Sequence, residues 1–335
     1  MTLRDTRTAA RRSSRKRKSR TTKYVSFVIC AVVVICAASA LAIVRPWAST
    51  SIHPTNAVQY LGVYQPDAPH TYSSIDGFAH AIGRQPNLVS YYSPWLEPFQ
   101  VRFATLAAQH GAETVVQIDP KNVSLARIAA GHYDAYLRSY AAAVRAFRAK
   151  VVLSFGHEMN GSWYSWGYKH TPSATFVTAW RHIVTVFRAM GAKNAVWLWT
   201  VNVINKSIPI PAPDSWWPGS SYVDWVGIDG YYYESSQNFA QLFGPTIADV
   251  LALTHDPLLI AETGAPPSAN QPAKINDLFA GIRTYGLSGF LWFDENTQGR
   301  AWRISSPNAF AAFRRDAKAF MKPPSTSATP RRASS

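Results

Sequence analysis

Val151-Val-Leu-Ser-Phe-Gly-His-Glu-Met-Asn-Gly-Ser-Trp-Tyr-Ser-Trp166 reads as a short buried strand running into an aromatic loop. The first five residues carry no charge and open on two β-branched side chains. Gly156 then stops the run, which is too short for a helix. His157 and Glu158 leave the strand at its C-terminal end. A second segment repeats the design: Leu258-Leu-Ile-Ala261 runs into Glu262-Thr-Gly264. Outward from these two, similar runs occur at Ala57–Tyr64, Leu88–Tyr92, Thr114–Ile118, Ala195–Val201, Val223–Ile228 and Gly289–Phe293. Between them lie stretches with apolar residues at three- and four-residue steps: Phe99–His110, Tyr133–Ala149, Ala174–Met190, Ala240–Thr254, Ala273–Tyr285 and Pro307–Phe320. Eight strands alternating with helices predict an α/β chain folded as a single (β/α)8 TIM barrel over residues 55–322. A doubly wound open sheet is the alternative, but no G-x-G-x-x-G turn follows the first strand.

The ends of the chain have a different character. The 335 residues carry a formal charge of +15, and ten of the 34 Lys and Arg lie between Arg4 and Lys23, against one acid, Asp5. The basicity belongs to that tail, and the body is nearly neutral, which argues against a nucleic-acid partner. Tyr24 to Val44 is an uncharged run of 21 residues, long enough as a helix to cross a bilayer core of roughly 30 Å. With its basic flank kept in the cytoplasm, residues 1–23 form a cytoplasmic tail and 24–44 a transmembrane signal-anchor. The linker is expected over 45–54, the domain over 55–322 outside the cytoplasm, and a disordered tail over 323–335. The alternative is secretion after cleavage near Ala38-Ser39-Ala40. Both cysteines, Cys30 and Cys36, lie inside the apolar run, so the exported part has neither disulfides nor thiolate chemistry.

In an eight-stranded barrel the ends of strands four and seven face each other. Glu158 and Glu262 are then an opposed carboxylate pair, the requirement for protonating a leaving oxygen on one side and attacking a carbon on the other. A zinc-protease reading of His157-Glu158 fails, because the second histidine of H-E-x-x-H would fall on Gly161, and no metal is called for.

The segment His157–Trp166 resembles the H-E-x-N-G-x-W-Y-x-W signature of glycoside hydrolase family 26, the β-mannanase family among the clan A (β/α)8 barrels. Ala261-Glu-Thr-Gly264 is similar to that family's nucleophile segment. Val226-Gly-Ile-Asp-Gly-Tyr231 is similar to its sixth-strand segment, and Phe290-Leu-Trp-Phe-Asp294 to its end. The resemblance implies Glu158 as general acid/base and Glu262 as nucleophile of a retaining endo-β-glycosidase, acting on β-1,4-mannan. A β-glucanase or exopolysaccharide hydrolase of the same family is the alternative. It implies that Asp229 and Tyr231 line the catalytic subsite, the Tyr231 hydroxyl orienting the nucleophile. His157, Trp163, Trp166 and Trp292 are the further substrate-binding candidates, the tryptophans as flat faces for pyranose rings. Asn160 is expected to position the acid loop or a sugar hydroxyl. Trp216 and Trp217 are placed on the cleft rim. The family's mannanases usually carry a histidine near the end of strand three; here that end is Gln117-Ile-Asp119. No cofactor is required, the expected assembly is a monomer, and the partners are a polysaccharide and the cytoplasmic membrane. The rival from another class is an inactive membrane-tethered carbohydrate-binding protein, and a transglycosylase would share every residue named.

Overall fold

The computed structural model of the chain describes residues 59–204, 210–297 and 299–320. Eight strands pair in parallel in sequence order: β1 (Tyr60–Tyr64), β2 (Leu88–Pro94), β3 (Glu113–Asp119), β4 (Val151–Phe155), β5 (Ala195–Asn202), β6 (Trp225–Asp229), β7 (Leu258–Thr263) and β8 (Gly289–Phe293). β8 pairs with β1, so the barrel is closed. Around it lie α1 (Ser73–Ile82), α2 (Val101–Gln109), α3 (Leu125–Ala129), α4 (Asp134–Phe147), α5 (Ser173–Ala189), α6 (Phe239–Leu253), α7 (Gln271–Thr284) and α8 (Pro307–Phe320). Every strand expected from the sequence is present, and α1 and α3 are additions. α1 buries Ile75, Phe78, Ala79 and Ile82, a helical stripe interrupted in sequence by serines and Gly77. The Tyr24–Val44 run, the linker and the C-terminal tail lie outside the described residues. Among the described residues no helix is long and apolar enough to cross a membrane.

Strand parity decides which side chains face inward. Tyr60, Leu88, Val115, Val152, Leu198, Leu259, Ala261 and Leu291 meet in one cluster that fills the barrel. Their neighbours, among them Val89, Val116, Leu153, Trp197, Trp199, Val226, Ile260 and Trp292, belong to the larger cluster between sheet and helices. Each large apolar side chain so buried contributes roughly 1.5–3 kcal/mol relative to exposure. The N-terminal end of the barrel is closed by an ion pair, Lys150 Nζ to Glu113 Oε1 at 2.8 Å, with the Tyr60 hydroxyl accepting from Lys150 at 2.9 Å.

One irregularity bears on the site. Ile228 is registered with Ile260, but the next residue, Asp229, is registered with Glu262, so β7 holds an extra residue there. Leu259 and Ala261 already face inward. Strict alternation would turn Glu262 outward to the helices. The bulge resets the phase and aims it at the barrel mouth.

Candidate active site

Continued to the C-terminal ends of the strands, the inward parity brings together Tyr64, Tyr92, Asp119, Asn202, Asp229 and Phe293, with His157 and Glu158 just beyond β4 and Glu262 delivered by the bulge. Tyr64 stacks on Phe293 with centroids 4.7 Å apart and meets Tyr92 edge-on at 5.1 Å. This is the mouth of the barrel, where rigid strands can hold reactive groups.

Glu158 is fixed from three directions. Its backbone is left-handed, with φ 54, two residues beyond Gly156 at φ 57, so the chain turns sharply as it leaves β4. Its amide donates to the Thr200 carbonyl at 2.9 Å. Its Oε1 accepts from Asn202 Nδ2, and its Oε2 accepts from Trp163 Nε1 at 2.6 Å. The loop behind it is clamped to β5 by a reciprocal pair. Asn160 Nδ2 donates to the Asn202 carbonyl, and the Asn202 amide donates to Asn160 Oδ1, both at 2.8 Å. Burial raises the carboxyl, the His157 charge lowers it and the Glu262 charge raises it, leaving Glu158 pushed up to about 7. It therefore exchanges its proton near neutrality.

Glu262 is held by two phenols. Its Oε1 accepts from the Tyr231 hydroxyl and its Oε2 from the Tyr92 hydroxyl. Burial and then the charge of Glu262 hold both phenols well above 10, so both keep the proton they donate. Asp229, wholly buried, is driven well above the carboxylate range by burial and by the charges of Glu262 and Glu158.

His157 is buried with Nδ1 3.1 Å from Asp119 Oδ1 and Nε2 3.2 Å from the Tyr164 hydroxyl. Burial disfavours its charge, but Asp119, followed by Glu158 and Glu262, outweighs this and pushes it up to about 9. A cation thus lies beside three carboxyl groups.

Several expectations change. Trp163 is 45% exposed, with its indole N–H on Glu158. Trp166 is 2% exposed; it stacks on Tyr164 at 4.3 Å and donates to the His157 carbonyl at 2.8 Å. It supports the acid loop and offers no free face to a sugar. Trp292 is 0% exposed and packs against Phe313 of α8, because Leu291 takes the inward position and parity turns Trp292 outward. Phe293 is the β8 residue at the mouth. Trp217 packs edge-on against the outward-facing Trp199 at 5.0 Å, and Trp216 is buried, so neither rims the cleft. Asn160 does hold the acid loop. Sequence reasoning passed over Tyr92, Asn202 and the pairing of Asp119 with His157. The signal available was inward parity at a strand's C-terminal end, which each of them satisfies.

The site thus joins a carboxyl titrating near neutrality to a second carboxyl held by two tyrosines, a pair suited to proton transfer and nucleophilic attack from two sides. The family model "Glycosyl hydrolase family 26" matches residues 111–280, which include both groups. The chain belongs to this family. Endoglucanase H of Acetivibrio thermocellus is 33% identical over 259 residues, covering 72% of this chain and 28% of that protein. Mannan endo-1,4-beta-mannosidase A and B of Caldalkalibacillus mannanilyticus is 28% identical over 119 residues, covering 33% of this chain and 21% of that protein. The chain therefore spans less than a third of the length of these curated relatives. Among solved structures, a family 26 β-mannanase from Bacteroides ovatus superimposes with a TM-score of 0.58 at 15% identity, over 78% of this chain and 89% of that one. A Bacillus subtilis mannanase does so with 0.56 at 19%, over 78% and 85%. At such identities the match is one of fold, the (β/α)8 barrel.

Proposed function

We propose that this family 26 member is a retaining endo-β-glycosidase in which Glu158 is the general acid/base and Glu262 the nucleophile. The observation that carries the reading is the delivery of two carboxyl groups to one barrel mouth from the ends of β4 and β7, Glu158 held by Trp163 and Asn202 and Glu262 by Tyr92 and Tyr231. In the first step Glu262 attacks the anomeric carbon while Glu158 gives its proton to the glycosidic oxygen. The C–O bond breaks and a glycosyl ester forms. Glu158, now ionised, takes a proton from water, which attacks the same carbon and releases Glu262. Trp163 offers its exposed face to the C–H surface of a sugar ring, and Tyr231 orients the nucleophile. Asp229 and His157 line the subsite. The steps use only these side chains and water.

Family weight makes β-1,4-mannan the first substrate to test. A β-glucan is the second reading, favoured by Asp119, paired to His157, at the end of β3, and by the likeness to an endoglucanase. An exopolysaccharide made by the same cell follows them. The charge pattern of residues 1–44 supports a single-pass anchor with the barrel outside the cytoplasmic membrane, or secretion if the apolar run is cleaved. Retention of both carboxyls weighs against an inactive, membrane-tethered carbohydrate-binding protein. The test is Glu262→Ala on a panel of β-mannans and β-glucans, with product sizing and anomer detection. Turnover should fall at least about a thousandfold, and wild-type products should first appear as the β anomer. Undiminished turnover by the variant would sink the nucleophile assignment, and products of α configuration the retaining course.

A further inference from the structure

Resting on the reading of Glu262 as nucleophile, we propose that Tyr92 is a second positioning residue for it, acting on the oxygen that Tyr231 leaves free. Tyr92 comes from β2 and Tyr231 from beyond β6, so the carboxylate is held between opposite sides of the mouth. The Tyr92 hydroxyl donates to Oε2, the Tyr231 hydroxyl to Oε1. Rotation of the carboxylate about its terminal bond would break both contacts, so the pair fixes the plane in which the attacking lone pair lies. One donor alone would leave the other oxygen free to swing. Orientation of this kind is where binding geometry lowers a barrier.

The ring of Tyr92 is itself immobilised. Tyr64 meets it edge-on at 5.1 Å, Phe293 lies at 6.5 Å, and the His157 ring at 5.6 Å. The last contact links the nucleophile's donor to the residue that precedes Glu158 in the chain. Tyr64, His157, Glu158, Tyr164, Asp229, Tyr231 and Tyr233 are the other titratable groups around the carboxylate among the described residues, and none of them reaches Oε2 with a hydrogen bond.

The experiment is Tyr92→Phe in the full chain, which keeps the ring and removes the hydroxyl. The rates use the polysaccharide the wild type cleaves fastest. The expected result is a tenfold to hundredfold fall in kcat, about the loss of one hydrogen bond to a charged group. KM stays within about twofold. The acid limb of the pH profile moves to higher pH, because the ionised carboxylate has lost a donor. A structural role alone would leave that limb in place. Tyr231→Phe is the comparison. The double variant should lose less than the product of the two single losses, because both hydroxyls serve one carboxylate. The Glu262→Ala background separates the two claims. If Glu262→Ala is inactive and Tyr92→Phe matches wild type in kcat and in its acid limb, this proposal is overturned while the nucleophile stands. If Glu262→Ala remains active, the parent reading has failed.

Discussion

At the scale of single residues, the site depends on which atoms donate to which carboxylate oxygen. Trp163 has two functions there: an exposed face, and an indole N–H on Glu158 Oε2 at 2.6 Å. A donor to the ionised form lowers a carboxyl, so its removal raises one. Trp163→Phe should therefore shift the basic limb of the kcat/KM profile, which reports loss of the acid's proton, to higher pH. A basic limb that stays or moves down would contradict the bond. At this scale the sequence was only partly legible. Glu158 and Glu262 stand out because a short apolar strand delivers each. Tyr92 and Asn202 have no motif around them, and nothing in their neighbours marks which carboxylate they touch. Trp292 misled because tryptophan suits a sugar face and a core wall alike, and only the inward position of Leu291 separates the two.

At the scale of elements, the acid loop stays in place through its clamp to β5. Asn160 is wholly buried, with each of its two bonds going to the backbone of Asn202, whose own side chain holds Glu158. Asn160→Ala would strand a buried amide and a buried carbonyl. The expected cost is about 2 kcal/mol of folding stability, read by urea unfolding, with a fall in kcat as Asn202 loses its register. An unfolding midpoint and kcat equal to wild type would show that the clamp is idle. Strand positions were legible because short apolar runs alternating with helical patterns occur eight times. The bulge in β7 was not. It is set by register against β6, a relation between two segments that neither reveals alone.

At the scale of the whole molecule, the barrel order followed from counting strands, while the protonation balance required three-dimensional neighbours. Glu158 is raised from 4.5 to about 7 and His157 from 6.5 to about 9. Both shifts have the same sign for stability: the folded state binds the proton more tightly. The contribution of Glu158 is full below 4.5 and is lost as pH rises through about 7. That of His157 is full below 6.5 and is lost through about 9. Stability should therefore fall from pH 5 to pH 9 by on the order of a few kcal/mol, and the Tm with it. Glu158→Gln should flatten the lower half of that slope, and a Tm flat or rising over this range would refute the assignment. The left-handed backbone at Glu158 adds a cost that persists at every pH, since a side chain with a Cβ is unfavourable there and glycine is not. Evolution acting on folding alone would discard this glutamate. A lineage that stopped needing the chemistry could drift to glycine at 158 and become sturdier, so inactive descendants of this barrel should be recruited easily as scaffolds for other tasks.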